Sequence, residues 1–153
     1  MALRTLAQRI CFLDEEVSNL DSQLQLLVSA KAPTLASRLG IGTGHAAQFL
    51  VTAGQNVDRL RSEAAFARLC GADPIPVSSG KTHRMRLHRG GDRQANRALH
   101  MIAVCRLRYD PRTIEYMQRR ITDGLSKKDV LRCLKRFIAR EVFNDLKTDI
   151  GLT

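Results

Sequence analysis

Apolar residues recur at alternating spacings of three and four between residues 3 and 27. This spacing is a heptad repeat with leucine at every d position, a pattern that favours a parallel two-stranded coiled coil. An amphipathic helix packed on its own domain is the alternative, and in both cases the apolar face must be buried. The eight residues are named the heptad seam here: Leu3, Leu6, Ile10, Leu13, Val17, Leu20, Leu24 and Leu27.

A glycine-rich turn at residues 40–44 separates two shorter patterns, which predict helices over Pro33–Leu39 and about His45–Ala53. Two helices around a Gly-hydrophobic-Gly turn resemble a helix-hairpin-helix element, in which backbone N–H groups contact a DNA phosphate. Gly40 and Gly42 would lie at that contact. An ordinary turn between two helices, with glycine caps, is the alternative.

Capping signals divide the rest of the chain. Helices are predicted to begin after Ser62, Asp92, Asp110 and Ser126, with the last three extending to about Tyr109, Gly124 and Lys147. Two prolines, Pro74 and Pro76, require an extended backbone near residues 73–77. No strong strand signal is present, and the basic stretch after residue 80 is expected to be flexible.

The predicted fold class is therefore all-α. A long N-terminal coiled-coil helix precedes a compact multi-helix domain that contains the helix-hairpin-helix-like element. The predicted boundaries are residues 1–30 for the coiled-coil segment, 31–148 for the compact domain and 149–153 for a short tail.

The formal net charge of +10 on 153 residues favours an anionic partner, and nucleic acid is the commonest one. Six of the cations fall between residues 81 and 97, where Asp92 is the single acid. A second basic stripe, Lys128 to Arg140 on the last helix, is the weaker candidate, because solvated basic faces are common. The predicted phosphate contacts of the first group are Lys81, Arg84, Arg86, Arg89, Arg93 and Arg97.

The chain has no apolar run of the roughly 20 residues that a membrane span needs, and its N-terminus lacks the features of a secretory signal. The four cysteines are widely spaced and form no CxxC pair, which favours buried reduced thiols over disulfides or a zinc site. These observations predict a cytoplasmic protein without a membrane partner.

Candidate chemistry lies at Ser78-Ser79-Gly80, which follows the proline-stiffened segment and precedes the arginines. Serine is a poor nucleophile at neutral pH, and attack on a phosphodiester requires charge neutralisation that arginines supply. A covalent phosphoserine link to DNA is one interpretation. A Ser-Gly turn before a basic loop that merely contacts phosphates is the other, and physical reasoning alone does not separate Ser79 from Ser78.

Other catalytic sites are disfavoured. His83 and His88 have no carboxylate neighbour in the sequence, so phosphate or solvent contact is the better interpretation. No carboxylate cluster suits two-metal chemistry, and no cofactor is predicted for this chain. A nucleotide-binding loop is excluded because Ile75 occupies the position of its first glycine.

Three segments together resemble one known family: GIGTGHAAQFLVTAG, then RSEAAFARLCGADPIPVSSGKTHRMRLHRGGDRQANRALHMIA, then GLSKKDVLRCLKRFIAREVF. The resemblance extends from about Ala32 to Leu146, and it is to the IS110 insertion-sequence transposases, also described as IS116 and IS902. It implies recombinases guided by a structured bridge RNA, which join donor and target DNA through a serine-linked intermediate. The serine that precedes the glycine is Ser79 here.

The resemblance also implies an N-terminal RuvC-like domain with a DEDD metal site, expected to bind Mg²⁺, followed by a coiled coil. This sequence begins within the coiled-coil segment and contains no DEDD carboxylates. The expected function is the C-terminal half of a DNA transposase, which binds DNA and supplies the nucleophile Ser79. The alternative is a truncated, non-catalytic nucleic-acid-binding dimer that modulates the full-length transposase, and a repair accessory protein that does not require Ser79 is a third.

Overall fold

The computed structural model describes residues 2–54, 60–80 and 82–151, and within these ranges the fold is helical with one β-hairpin. The helices are α1 (Ala2–Lys31), α2 (Pro33–Ala36), α3 (Thr43–Ala53), α4 (Glu63–Leu69), α5 (Arg93–Tyr109), α6 (Pro111–Thr122) and α7 (Lys127–Asp149). The strands are β1 (Pro74–Ser79) and β2 (Thr82–Leu87). The all-α fold class is confirmed. No helix in these ranges is long and apolar enough to cross a membrane.

The core of the compact domain lies where α4, α5 and α7 pack together, with α2 and α3 against one side. Phe66 of α4 is at its centre, with ring centroids 6.4 Å from Phe49 and 6.1 Å from Phe143. The apolar face of α7 is buried at Val130, Leu134, Ile138 and Val142, which recur at spacings of four residues. Phe137 of the same helix is half-exposed and makes an edge-to-face contact with Tyr116.

The predicted capping residues are confirmed by their hydrogen bonds. Ser62 and Ser126 accept bonds from the third amide of their helices, and Asp92 and Asp110 cap α5 and α6. Helix α2 ends earlier than predicted, at Ala36 rather than Leu39. The free N–H groups at the N-terminus of α2 bind a residue from the far end of the chain. Those of Thr34 and Leu35 donate to the Asp149 carboxylate at 3.1 and 2.9 Å.

Helix α1 contacts the compact domain through its C-terminal turns. Val28 is buried and Leu24 is half-buried, whereas the seam residues from Leu3 to Leu20 are 40–84% exposed. The structure therefore does not show the whole seam packed on the chain's own compact domain. The part of the seam from Leu3 to Leu20 is not buried by any of the described residues, and the coiled coil itself stays a prediction.

The hairpin was not predicted. Strands β1 and β2 pair antiparallel from Pro74 opposite Leu87 to Ser79 opposite Thr82. The extended backbone expected near residues 73–77 is present, but the basic stretch that we expected to be flexible contains a strand at Thr82–Leu87. The signal was the two-residue alternation of cations and apolar residues from Arg84 to Leu87, which is too short to stand out from a solvated basic loop.

Candidate nucleic-acid interface

The predicted nucleophile lies at the tip of the hairpin. Ser79 is the last residue of β1, paired with Thr82 across a two-residue turn that Gly80 begins with φ +59°. That backbone conformation favours glycine, because a Cβ would meet the carbonyl group there. The side chain of Ser79 and the whole of Lys81 lie outside the described residues. The backbone therefore places Ser79 at the end of a supported strand rather than on an open loop.

The hairpin register separates Ser79 from Ser78. Residues directly opposite each other in an antiparallel pair share a face, and neighbours along a strand alternate between faces. Position 79 therefore shares its face with position 77 and with positions 82, 84 and 86, two of which are arginines. Position 78 lies on the other face, opposite His83 and beside Met85. Positions 84 and 86 of β2 are thus on the same face of the hairpin as position 79.

A polar network holds the base of the hairpin. The Asn96 side-chain amide donates to the carbonyl oxygens of Cys70 and Gly71, at 2.8 and 2.9 Å, and accepts a bond from Lys135 Nζ at 2.7 Å. The two ends of the hairpin approach so closely that a Cβ on Gly91 would collide with the backbone of Gly71. The network ties the start and end of the hairpin to α5 and α7.

The remaining predicted cations continue from the hairpin onto α5. Arg86 on β2, Arg89 in the following loop, and Arg93 and Arg97 on α5 are all exposed. Arg84 is on β2, but its side chain is not described. Positions 93 and 97 are one helical turn apart and share a face of α5. The predicted arginines are thus distributed over β2, the loop that follows it and the first turns of α5.

Asp92, the acid within this stretch, has a structural role through hydrogen bonds to both of its carboxylate oxygens. Its carboxylate accepts bonds from the amides of Gln94 and Ala95 and from the Thr52 hydroxyl, the last at 2.7 Å. Partial burial acts to raise the pKa of Asp92, but these three hydrogen bonds outweigh it and the pKa is lowered. Asp92 therefore caps α5 and joins it to α3 as an anion, and it is not free to act as a general acid near neutral pH.

The glycine-rich turn lies at a distance from the hairpin. Gly40 has φ +84°, Ile41 is buried, and Gly42 caps the N-terminus of α3. The end of α3 near Thr52 contacts Asp92, so the 11 residues of α3 separate the turn from the hairpin side by roughly 16 Å. The turn and the arginine stretch are therefore not one site, although both are on the surface.

Neither cysteine nor metal chemistry is indicated in the described part of the chain. Burial raises the pKa of the Cys70 thiol to about 12, which leaves it protonated at neutral pH. All four cysteines are free, and of these Cys70 is buried as expected, whereas Cys105 and Cys133 are partly buried and Cys11 is exposed. Among the described residues no group of three or more His, Cys, Asp or Glu side chains is arranged to hold a metal ion. No chemical step is therefore assigned to a metal on these residues.

Sequence reasoning missed Asn96 and Lys135. Lys135 is buried although it is charged, with 8% of its surface exposed. It stands four residues after Leu131 and three before Ile138, on the apolar face of α7. The sequence signal that could have identified Lys135 was a cation at an apolar-face position of the last helix, because a charged side chain is rarely buried without a specific partner.

Comparison with known proteins gives consistent matches. Residues 32–118 match the family described as Transposase IS116/IS110/IS902 family. The chain is 31% identical over 135 residues to "Insertion element IS110 uncharacterized 43.6 kDa protein" of Streptomyces coelicolor, which covers 86% of this chain and 33% of that protein. It is 27% identical over 134 residues to "Insertion element IS900 uncharacterized 42 kDa protein" of Mycobacterium paratuberculosis, with 86% and 34% covered. The chain thus spans about a third of the length of these relatives.

Proposed function

This chain belongs to the transposase IS116/IS110/IS902 family, and from that premise we propose that it binds DNA and supplies Ser79 as the nucleophile of strand exchange. The observation that carries the proposal is the hairpin register. It puts position 79 at the tip of a supported hairpin, on the same face as positions 84 and 86. A nucleophile and the cations that neutralise the phosphate under attack thereby come from paired strands.

The proposed reaction is a transesterification. The Ser79 hydroxyl oxygen forms a bond to a DNA phosphorus atom, the bond from phosphorus to one DNA oxygen breaks, and that oxygen leaves as a hydroxyl group. The proton lost by serine is balanced by the proton gained by the leaving oxygen. Attack by a DNA hydroxyl on the phosphoserine reverses these changes and releases Ser79. Arginine side chains stabilise the additional negative charge at phosphorus in both steps.

The test of Ser79 is the formation of a covalent protein–DNA adduct. The chain is incubated with labelled DNA and with the RuvC-like partner half that the resemblance implies, and is then run on a denaturing gel. Ser79→Ala should abolish the adduct, whereas Ser78→Ala, the matched control on the opposite face, should retain it. Adduct in both single variants contradicts the serine mechanism, and loss in Ser78→Ala alone moves the nucleophile by one residue.

DNA binding is proposed to use the arginine stretch Arg84, Arg86, Arg89, Arg93 and Arg97. If five phosphates are neutralised, log K should fall against log salt with a slope of about −4.5. Binding measured by fluorescence anisotropy at several salt concentrations checks this value. A slope near zero contradicts the proposal. We propose the glycine turn at Gly40 and Gly42 as a second DNA contact, of the helix-hairpin-helix kind. The turn leads into the N-terminus of α3, where no atom lies within 4 Å of a Cβ placed at Gly42 or Gly44.

Assembly through the heptad seam is proposed to bring two copies of the chain together as a parallel coiled coil. The exposure of the seam from Leu3 to Leu20 supports this, because so long an apolar stripe is unfavourable in water. The same observation favours the second candidate function, a non-catalytic nucleic-acid-binding dimer that modulates full-length transposase by co-assembly. The bridge RNA and the Mg²⁺ site of a RuvC-like half stay proposals from the family.

A further inference from the structure

A cavity of about 810 Å³ opens between the base of the hairpin, the end of α6 and the first half of α7. It is named the hairpin cleft here. Its lining includes five cations, namely Arg86 of β2, Arg120 of α6, and Arg132, Lys135 and Arg136 of α7. Apart from Arg86, none of these was among the predicted contacts of the first basic stretch. Three separate elements thus direct cations into one concave surface.

The carboxylates that line the cleft do not neutralise this charge. Asp73 and Asp129 are the two acids among the lining residues. Asp73 pairs with Arg68, outside the cleft, at 3.2 Å. Asp129 accepts bonds from Ser126 at 2.6 Å and from Arg132 at 2.8 Å, so one of the five cations is matched inside the cleft.

Two other cations of the cleft have incomplete partners. Arg120 forms an ion pair with Asp123 at 3.4 Å, and its buried Nε atom has no hydrogen-bond partner among the described residues. Arg136 is 3.5 Å from Glu63, whose carboxylate also pairs with Arg140. Both arginines therefore retain donor capacity toward a further anion.

Lys135 is the most unusual of the five. It is more than nine-tenths buried, and the partner of its ammonium among the described residues is the neutral Asn96 amide oxygen. Asn96 cannot turn away, because both of its N–H groups are used by Cys70 and Gly71. Burial, and then the nearby charge of Arg132, lower the pKa of Lys135. A buried ammonium with a neutral partner is costly unless an anion completes its surroundings.

We infer that the hairpin cleft binds a phosphate group of the DNA backbone, held by Lys135 together with Arg120 and Arg136. The inference rests on the proposed DNA-binding function and adds a second, recessed contact to the exposed arginine stretch. DNA is the occupant favoured by the geometry, because Arg86 belongs to the strand that carries the arginines of the Ser79 face. A phosphate in the cleft would also be linked, through Lys135 and Asn96, to the base of the hairpin.

The experiment compares the whole chain with Lys135→Met, which keeps an unbranched apolar stem of the same length and removes the ammonium group. Lys147→Met is the matched control, since Lys147 is an exposed lysine near the other end of α7. In anisotropy with duplex DNA, Lys135→Met should weaken binding about tenfold, as expected for loss of one charge-assisted hydrogen bond. It should also reduce the magnitude of the salt slope by about 0.9. Lys147→Met should change affinity less than about twofold.

A second arm uses inorganic phosphate and distinguishes the source of the ligand. Thermal melts in phosphate and in chloride, at matched ionic strength, should show a phosphate-specific rise in Tm for the wild type and Lys147→Met. The rise should be smaller in Lys135→Met, whereas the general salting effect of phosphate acts equally on all three proteins. Where Lys135→Met fails to fold by circular dichroism, Arg120→Met, which changes a cleft arginine outside the proposed arginine stretch, replaces it in both arms.

Each outcome decides the inference. Loss in both arms supports a DNA phosphate in the cleft. Loss with inorganic phosphate but not with DNA shows a site for free phosphate and overturns the DNA assignment. Equal behaviour of Lys135→Met and Lys147→Met in both arms overturns the site, and a destabilised Lys135→Met with an unchanged slope shows a structural role. Absence of DNA binding by the wild type overturns the proposed function, and the phosphate arm then reports on the cleft alone.

Discussion

Helices α1 and α7 carry similar apolar stripes but bury them differently. In α7 the stripe meets α4 and α5, and Val130, Ile138 and Val142 are buried. In α1 the stripe is more regular, yet it is exposed until Leu24 and Val28 reach the domain. The difference teaches that periodicity reports the need for a partner and not where the partner is. For α7 the partner is the chain itself, and for α1 we propose a second copy.

The first test of this contrast makes the same kind of substitution, valine to aspartate, once in each helix. Val142→Asp should lower the free energy of unfolding by at least about 4 kcal/mol, because it buries a carboxylate without a partner. Val17→Asp, the matched change on α1, should alter unfolding of the compact domain by less than about 0.5 kcal/mol. Urea denaturation below the concentration at which the chain associates measures both. Equal destabilisation would show that α1 is part of the folded core.

The second test breaks the proposed coil. Replacing Leu13 and Leu20 by Asp removes two seam residues, each worth roughly 1.5–3 kcal/mol when fully buried, and should give monomers in sedimentation. The matched control changes Phe12 and Leu26, which are exposed on α1 but at c positions outside the seam. That variant should keep the wild-type mass. If the seam variant also keeps it, the parallel coil is wrong.

The third and smallest expected effect is on the pH dependence of the unfolding free energy. The seam residues do not titrate, whereas the compact domain contains carboxylates held by hydrogen bonds, such as Asp92. The pKa of Asp92 is lowered in the fold, so its stabilising contribution is complete above the ordinary aspartate value of about 3.9 and is lost as pH falls through the lowered value. Asp92→Asn should therefore flatten the acid limb of the unfolding free energy. The same change at exposed Asp14 of α1 is the matched control, and an identical acid limb in all three proteins would contradict this role of Asp92.

Local chemistry predicted most element boundaries. Ser62, Asp92, Asp110 and Ser126 cap helices because their side chains accept bonds from free amides within three residues. Such contacts join residues close together in the chain, so they can be predicted from a single sequence. The same reasoning placed an extended segment at the two prolines before Ser79, but it did not reveal the strand that pairs with it.

The long-range features of the candidate site were decided by tertiary structure. The burial of Lys135 against Asn96 depends on residues 39 positions apart in the chain. The capping of α2 by Asp149, 115 residues from Thr34, is of the same kind. The pairing that sets position 86 on the face of position 79 is more local, but it depends on the register between two strands.

The amino-acid sequence alone predicts the helices and their caps, because each depends on neighbours within one or two helical turns, and the basic charge follows from composition. The choice of Ser79 over Ser78 came from the family resemblance. Tertiary structure decided which apolar stripe found its partner within the chain and which positions share a face of the hairpin. It also decided that Lys135, a cation on an apolar face, lies in a cleft with four arginines. Burial depends on surfaces that distant segments form together. The register of a hairpin depends on how its two strands pair, which the short alternation of cations and apolar residues in this segment does not reveal.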